Sequence, residues 1–162
     1  MKEEIIYICR ILYAVLLGFA IGFERKLRFK EAGIRTHTIV CAGSALIMVV
    51  SKYAFSDIPD YDASRVAAQI VSGIGFLGAG MIIYRRQAVH GLTTAAGLWA
   101  SACMGLAIGA GFYECVILAF LLMFLCIRLL PYLENYMVER ARNMNLYIEY
   151  ASFDNIGLII GQ

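Results

Sequence analysis

The sequence predicts an all-α polytopic membrane protein, a bundle of five transmembrane helices. Hydrophobic residues make up 61% of the 162 residues and charged residues only 16%, whereas soluble domains contain about 45–50% apolar and about 25% charged residues. The charged residues are also crowded into short segments that separate long uncharged stretches. This uneven distribution argues against a single soluble domain.

Five stretches are long enough to cross a bilayer, because a membrane helix needs about 20 predominantly apolar residues. The first is not typical of a cleaved signal peptide, since its leader MKEE has no positive region and its apolar stretch is too long. After Pro131, where the fifth span leaves the bilayer, we expect a helical continuation over residues 132–142. The predicted spans are residues 5–23, 37–55, 66–84, 92–111 and 113–133.

The basic residues alternate between the two sides of the predicted spans. Cytoplasmic loops are enriched in Lys and Arg, so we expect the N-terminus outside and the C-terminus in the cytoplasm. Arg10 and Arg128 lie near opposite interfaces, where snorkelling is expected. The expected cytoplasmic residues are Arg25, Lys26, Arg28, Lys30, Arg35, Arg85, Arg86, Arg140 and Arg142, and the second loop is flanked by Lys52 and Arg65 and holds Asp57, Asp60 and Asp62.

The chain is expected to contain two parts, a transmembrane domain over residues 1–142 and the start of a truncated cytoplasmic α/β domain over residues 143–162. The segment LYIEY at residues 146–150 alternates apolar and polar side chains, which predicts a strand. The segment FDNIG that follows is expected to be a loop that leads into a helix. This second part is too short to bury a core of its own.

The segment SGIGFLGAG, residues 72–80, has the glycine spacing of a dinucleotide-binding turn. Such a turn should follow a strand and have an acidic residue about 20 positions downstream, but the sequence contains no Asp or Glu between Gly73 and Glu114. Small residues in apolar helices permit close helix contacts, so packing is the preferred interpretation, and a break of the third helix is the alternative. The expected packing glycines are Gly18, Gly22, Gly73, Gly75, Gly78, Gly80, Gly105 and Gly109.

Polar residues mark the ends of the predicted spans. Asp62 is expected to cap the third helix, and Arg65 and Gln69, four residues apart, share a face that we expect to point into the bundle. One face of the second span carries the polar residues His37, Cys41, Ser44 and Ser51. Together with Arg65, Gln69 and the hydroxyls of the fourth span, this face could line a polar cavity. At the cytoplasmic side, Glu24 either pairs with a basic side chain in an ionic cluster or belongs to a set of topology determinants. The candidate functional polar cluster is Glu24, Arg25, Arg35, Thr36, Asp62, Arg65, Gln69, Thr93, Thr94 and Trp99.

The same residues give little support to catalysis or metal binding. No Asp or Glu lies well inside the first four spans, whereas magnesium prefers carboxylate oxygens. The five cysteines and two histidines show no metal-binding spacing, and no pair of nucleophile and base is recognisable. We therefore expect no enzyme activity, no cofactor and no metal site, and the net charge of +2 does not suggest nucleic acid.

Four blocks of the sequence resemble the MgtC/SapB family of bacterial inner-membrane proteins. They are GFERKLR at residues 22–28, AGIRTH at 32–37, SRVAAQIVSGIGFLGAGMII at 64–83 and GLTTAAGLWASACMGLAIGAG at 91–111. The resemblance implies a membrane domain of four or five spans, followed by a cytoplasmic ACT-like domain. The family's motif residues correspond here to Glu24, Arg25, Gly33, Arg35, Thr36, Arg65, Gln69, the glycines of span three, Gly91, Thr94 and Trp99.

The resemblance also implies a function in adaptation to low magnesium and, in pathogens, in survival inside macrophages. In the virulence branch it implies inhibition of the rotary ATP synthase through membrane contacts; this chain departs from that branch at Thr93 and Ala100. We therefore expect an inner-membrane regulator that binds the lipid bilayer and other membrane proteins and forms a homo-oligomer. The alternative is a transporter or channel for magnesium, another ion or a small solute.

Single-cysteine labelling in a cysteine-free background tests the orientation. Cysteine at position 60 should react with an impermeant reagent added from outside, and cysteine at position 30 should react only from the cytoplasm, because the basic loops stay inside. Cytoplasmic labelling at position 60 would overturn the orientation.

Overall fold

The computed structural model describes residues 2–85 and 88–140. The helices are α1 (Lys2–Leu27), α2 (Ile34–Tyr53), α3 (Ser64–Gly80), α4 (Leu92–Ala110) and α5 (Tyr113–Arg140), and the strands are β1 (Ile83–Arg85) and β2 (Ala88–His90). Four of the helices, α1, α2, α4 and α5, are long and apolar enough to cross a membrane. A helical membrane protein is therefore confirmed. The orientation stays a prediction, and the predicted domain over residues 143–162 lies outside the described residues.

The third helix is shorter than the sequence predicted. It ends at Gly80, and Ile83 and Tyr84, which were expected to be helical, lie in β1, which pairs antiparallel with β2. Isoleucine and tyrosine favour extended backbone, and glycines at the helix end weaken its continuation. With 17 residues, α3 is about 26 Å long, somewhat less than the hydrocarbon thickness of about 30 Å. The helix runs without interruption through its glycines, so the predicted alternative of a broken helix is not observed.

The hairpin of β1 and β2 returns the chain to the end of α3 through Gly91. This residue has φ +87°, a left-handed conformation that glycine adopts without steric cost. A Cβ at this position would overlap the carbonyl oxygen of Met81. Glycine is therefore needed at Gly91 both for the backbone conformation and for the close approach to Met81.

The chain divides into two compact units, Met1–Met123 and Phe124–Gln162. In the first unit, α2 packs against both α1 and α4, and α3 packs mainly against α4. In the second unit, the described residues continue α5 past Pro131 to Arg140. This confirms the predicted helical continuation over residues 132–140, and the last two predicted residues, 141 and 142, lie outside the described part of the chain. The core of the first unit consists of Ala14, Leu17, Ile21, Cys41, Ala45, Met104, Ile108 and Val116.

Glycines allow the close contacts that α2 makes with its two neighbours. A Cβ on Gly22 of α1 would lie 2.5 Å from the Cα of Ile34, and a Cβ on Gly109 of α4 would lie 2.6 Å from the carbonyl oxygen of Ala45. Gly18 and Gly105 approach the backbone of α2 in the same way. Membrane helices rely on such small residues because lipid gives them little hydrophobic drive to associate.

The Gly109→Ala variant should unfold more readily than the parent protein. Its Cβ would meet both the carbonyl oxygen of Ala45 and the side chain of Met48, so we expect a loss of roughly 1–3 kcal/mol. Gly73→Ala is the matched control, because nothing lies within 4 Å of its Cβ and alanine favours a helix by up to about 1 kcal/mol. Unfolding of the purified protein in detergent measures both. Equal stability of the two variants would contradict the contact at Gly109.

Candidate functional site

A buried polar cluster joins α1, α2 and α4 where α1 ends. Glu24 and Arg25 of α1 are only 6% and 2% exposed, and His37 of α2 and Thr94 of α4 are fully buried. Together with Glu31, an exposed residue of the loop between α1 and α2, these buried residues form what we call the Arg25 cluster. Burial of polar groups is costly unless they are hydrogen-bonded or paired. The cluster is therefore a candidate functional site.

The bonds in the Arg25 cluster run from one helix to the next. Arg25 donates from Nη2 to the Thr94 hydroxyl at 3.5 Å, and that hydroxyl donates to Glu31 Oε2 at 3.1 Å. Hydrogen bonds from its own backbone amide and from Thr94 lower the pKa of the Glu31 carboxyl. Because this pKa is lower in the folded protein, the two bonds stabilise the fold at pH values above the usual carboxyl pKa. The stabilisation is lost as the pH falls through the lowered pKa.

Glu24 pairs with a basic side chain of its own helix. Its carboxylate forms an ion pair with Arg28, one turn further along α1, and not with Arg25 or Arg35. Arg35 and Thr36 are exposed on the first turn of α2, so the structure does not bring them into the cluster. Because Glu24 is buried, this ion pair differs from a solvated surface pair, which is worth little.

The polar side chains of α2 that were expected on one face are all buried. They are His37, Cys41, Ser44 and Ser51. His37 donates from Nδ1 to the carbonyl of Gly33 at 2.9 Å, and Ser51 donates to the carbonyl of Ala63 at 3.1 Å. The structure separates this face from Arg65 and Gln69, which are exposed. The described chain therefore does not form the expected cavity that combines the two sets.

Arg65 does not enter the bundle of the single chain, contrary to expectation. Its side chain is 86% exposed, and its Nε lies 3.7 Å from Oδ2 of Asp62. Asp62 accepts a hydrogen bond from the amide of Ser64 at 2.9 Å, two residues on as expected. The N-cap position of α3 is nevertheless held by Ala63, so the prediction that Asp62 caps the helix is wrong. The hydroxyl and amide of Ser64 lower the pKa of the Asp62 carboxyl.

One face of α3 combines polar and small residues and points away from the other helices of the first unit. Helical periodicity places its exposed residues on this side, and no described residue lies within 4 Å of a Cβ built on Gly73, Gly75 or Gly80. Gly78 differs, because its Cβ would lie 3.5 Å from the Cβ of Ala95. We call this surface the α3 face; it consists of Arg65, Gln69, Ser72, Gly73, Gly75, Phe76 and Gly80.

Two further predicted site residues lie on the outside of α4. Thr93 is exposed, although the next residue, Thr94, is fully buried in the Arg25 cluster. Trp99 is 49% exposed. The sequence-predicted set is therefore distributed over the Arg25 cluster, the α3 face, the surfaces of α2 and α4 and, for Asp62, the segment that precedes α3.

Sequence reasoning missed a second polar centre, formed around Arg10. Instead of snorkelling alone, Arg10 donates to the hydroxyls of Tyr53 and Tyr113 at 2.6 and 2.8 Å. It also donates to the carbonyl of Gly109 at 2.9 Å, and Lys52 donates to the carbonyl of Ala110 at 2.7 Å. Cations are favourable at a helix C-terminus. One signal for this centre was present in the sequence: Arg10 lies within the first predicted span, and the C-terminal turn of α4 has no basic residue of its own.

The fold and these polar centres define a helical membrane protein in which glycines allow α2 to pack closely against α1 and α4. The chain belongs to the MgtC family, whose sequence model matches residues 11–136. This confirms the resemblance found in the sequence. No solved structure matches the chain.

Several curated proteins are similar to this chain. The putative magnesium transporter YhiD of Escherichia coli K12 is 50% identical over 113 residues, which cover 67% of this chain and 53% of YhiD. Protein MgtC of Brucella abortus is 53% identical over 98 residues, 60% of this chain and 40% of that protein. Protein SapB of Bacillus subtilis is 38% identical over 125 residues, 74% of this chain and 54% of SapB. The chain spans about half the length of the curated relatives it matches.

Replacement of Thr94 by valine tests the Arg25 cluster. Valine has nearly the same shape but no hydroxyl, so Arg25 and Glu31 each lose a bond, and we expect a loss of about 1–3 kcal/mol. Thr93→Val makes the same chemical change on the exposed side of α4 and should stay within about 0.5 kcal/mol of the parent. Thermal unfolding in detergent compares them, and equal shifts would show that the buried hydroxyl carries no special weight.

Proposed function

We propose that this protein is a bacterial inner-membrane regulator of the MgtC type, which acts in adaptation to low magnesium by binding other membrane proteins. It has no enzymatic activity in this proposal. The observation that supports it best is the α3 face, which leaves Arg65, Gln69 and three glycines exposed on a largely apolar helix.

Physical chemistry favours a protein neighbour over lipid at the α3 face. An Arg in a membrane helix costs about 2.5–3.5 kcal/mol at the bilayer centre and less near the ends, where Arg65 lies. Gln69 lies one turn further into the helix, where lipid tails offer it no hydrogen bond. The glycines beside them permit another helix to approach closely. A partner helix would satisfy the polar groups and fill the space above the glycines.

Two kinds of partner are included in the proposal. A second copy of the chain would form a homo-oligomer in which the polar groups of two α3 faces bond to each other. The family resemblance adds the rotary ATP synthase as a membrane partner and, for pathogens, a link to virulence. Both partners would be bound within the bilayer by the same face.

The alternative function is transport of magnesium, another ion or a small solute. It is favoured by the similarity to a relative that is named a putative magnesium transporter. Among residues 2–85 and 88–140, no group of three or more His, Cys, Asp and Glu side chains could hold a metal ion. A transport route would therefore rely on other polar side chains of the bundle.

Gly75→Leu should remove partner binding without unfolding the chain. The new side chain projects into open space in the single chain but obstructs a helix that approaches the α3 face. We expect loss of crosslinked complexes from native membranes and loss of the growth effect at low magnesium, at matched membrane expression. Ala119→Leu, which enlarges an exposed residue of α5, is the matched control and should leave both unchanged.

Two results would contradict the binding proposal. One is that Gly75→Leu retains the complexes and the growth effect. The other is that purified protein in liposomes moves magnesium or another solute at the same rate with and without this substitution, which would favour the transport alternative.

A further inference from the structure

The loop after α1 holds an aromatic residue in an unusual backbone conformation. Phe29 has φ +54°, a left-handed value that bulky residues rarely adopt. The amide of Lys30 donates to the carbonyl of Arg25 at 3.2 Å. The amide of Phe29 donates to the carbonyl of Lys26 at 3.1 Å, which completes a Schellman motif with Phe29 at the position that glycine usually holds. The end of α1 is therefore strained at a residue where glycine would be relaxed.

Packing within the described chain does not offset this strain. The Phe29 side chain is 95% exposed. The rest of the loop is held in place, because Glu31 accepts from the Thr94 hydroxyl at 3.1 Å and Ala32 is only 1% exposed. An anchored loop therefore presents the ring to the surroundings. Strained residues of this kind persist where the surrounding structure fixes them, and they are often functional.

The depth of the ring in the membrane follows from α1. One side of this helix carries exposed apolar residues at intervals of three or four, which indicates that it faces lipid. They are Leu12, Leu16, Phe19, Phe23 and Leu27. With 26 residues, α1 is about 39 Å long, whereas the hydrocarbon is about 30 Å thick. The ends of α1 therefore reach the headgroup layers, and Phe29 lies two residues beyond the last lipid-facing side chain.

The charged groups around Phe29 are mostly basic. Residues 24–35 contain five basic and two acidic side chains. Both acids are engaged, since Glu24 forms an ion pair within α1 and Glu31 accepts a hydrogen bond from α4. The group outside this segment that acts on Glu31 electrostatically is His90, which is not acidic. The exposed cations, none of which forms an ion pair with another described residue, are Lys26, Lys30 and Arg35.

We propose that residues 26–35 form a binding site for an anionic phospholipid. The ring of Phe29 lies at the boundary of headgroups and acyl chains, where apolar side chains of interfacial segments insert. Lys30 and Arg35 donate charge-assisted hydrogen bonds to the lipid phosphate. In the predicted orientation this lipid belongs to the cytoplasmic leaflet, whose anionic lipids attract Lys and Arg beside a membrane helix. The site is separate from the α3 face and does not depend on the regulatory function.

Phe29→Gly should change stability and lipid binding in opposite directions. In neutral detergent, glycine relieves the left-handed backbone, so the unfolding midpoint should rise by roughly 2–4 °C. Added phosphatidylglycerol should raise the midpoint of the parent by several degrees more than the same amount of phosphatidylcholine, because a ligand of the folded state stabilises it. Phe29→Gly should lose most of that gain. Phe29→Trp, which keeps an interfacial aromatic ring, should retain it.

The basic residues are tested by Lys30→Gln combined with Arg35→Gln, which should also lose most of the gain from phosphatidylglycerol. Arg128→Gln combined with Arg140→Gln removes the same charge from α5 and should keep the gain. The proposal is wrong if Phe29→Gly or the first pair gains as much as the parent, or if inorganic phosphate alone reproduces the gain. A lower midpoint of Phe29→Gly in neutral detergent would also overturn it, since the ring would then pack against protein.

Photo-crosslinking in native membranes identifies the occupant directly. The photoreactive residue p-benzoylphenylalanine in place of Phe29 should form adducts with phospholipids, enriched in anionic lipids relative to their share of the membrane. The same residue in place of Phe19, on the lipid-facing side of α1, is the matched control and should give adducts in the proportions of the membrane. Equal proportions at the two positions, or another protein as the main adduct at position 29, would contradict the lipid site.

Discussion

The close approach of α2 to α1 and α4 is the constraint on which the rest of the structure depends. Gly22 on one side and Gly109 on the other leave no room for a Cβ against the α2 backbone. Dispersion attraction decreases strongly when two surfaces separate by an ångström. Three helices that pack this closely therefore hold the side chains between them in fixed positions. The Arg25 cluster exists only because α1, α2 and α4 converge in this way. Its buried charges would otherwise have to leave the interior or find water.

The sequence predicted the membrane fold because the underlying signals are local. Long uncharged stretches gave the helices, and the four-residue spacing of Gly18 with Gly22 and of Gly105 with Gly109 pointed to surfaces that the structure places against α2. The boundary of α3 was predicted wrongly, since hydropathy does not distinguish a helical Ile83 from one in a short strand.

The sites were harder to predict, because each depends on which face of a helix meets which neighbour. Arg25 lies in the last turn of α1 and Arg35 in the first turn of α2, yet Arg25 is buried and Arg35 is exposed. Arg65 was expected to face inward because a charged group in a membrane helix usually does, but rotation of a helix is set by tertiary contacts such as that of Gly78 with Ala95. Arg10 bonds to residues more than 40 positions away in the sequence, a pairing that no spacing rule encodes.

The bonds at the C-terminus of α4 have a consequence for the depth of the turn into α5. A helix leaves its last four carbonyls without partners in the helix. Here Ala107 and Ile108 accept from the amides of Gly111 and Phe112, and Gly109 and Ala110 accept from Arg10 and Lys52. Because the protein itself satisfies every one of these oxygens, the reversal needs no hydration. The turn between α4 and α5 can therefore lie inside the headgroup layer. A turn whose carbonyls depended on water would have to lie further from the lipid, and would expose more of both helices.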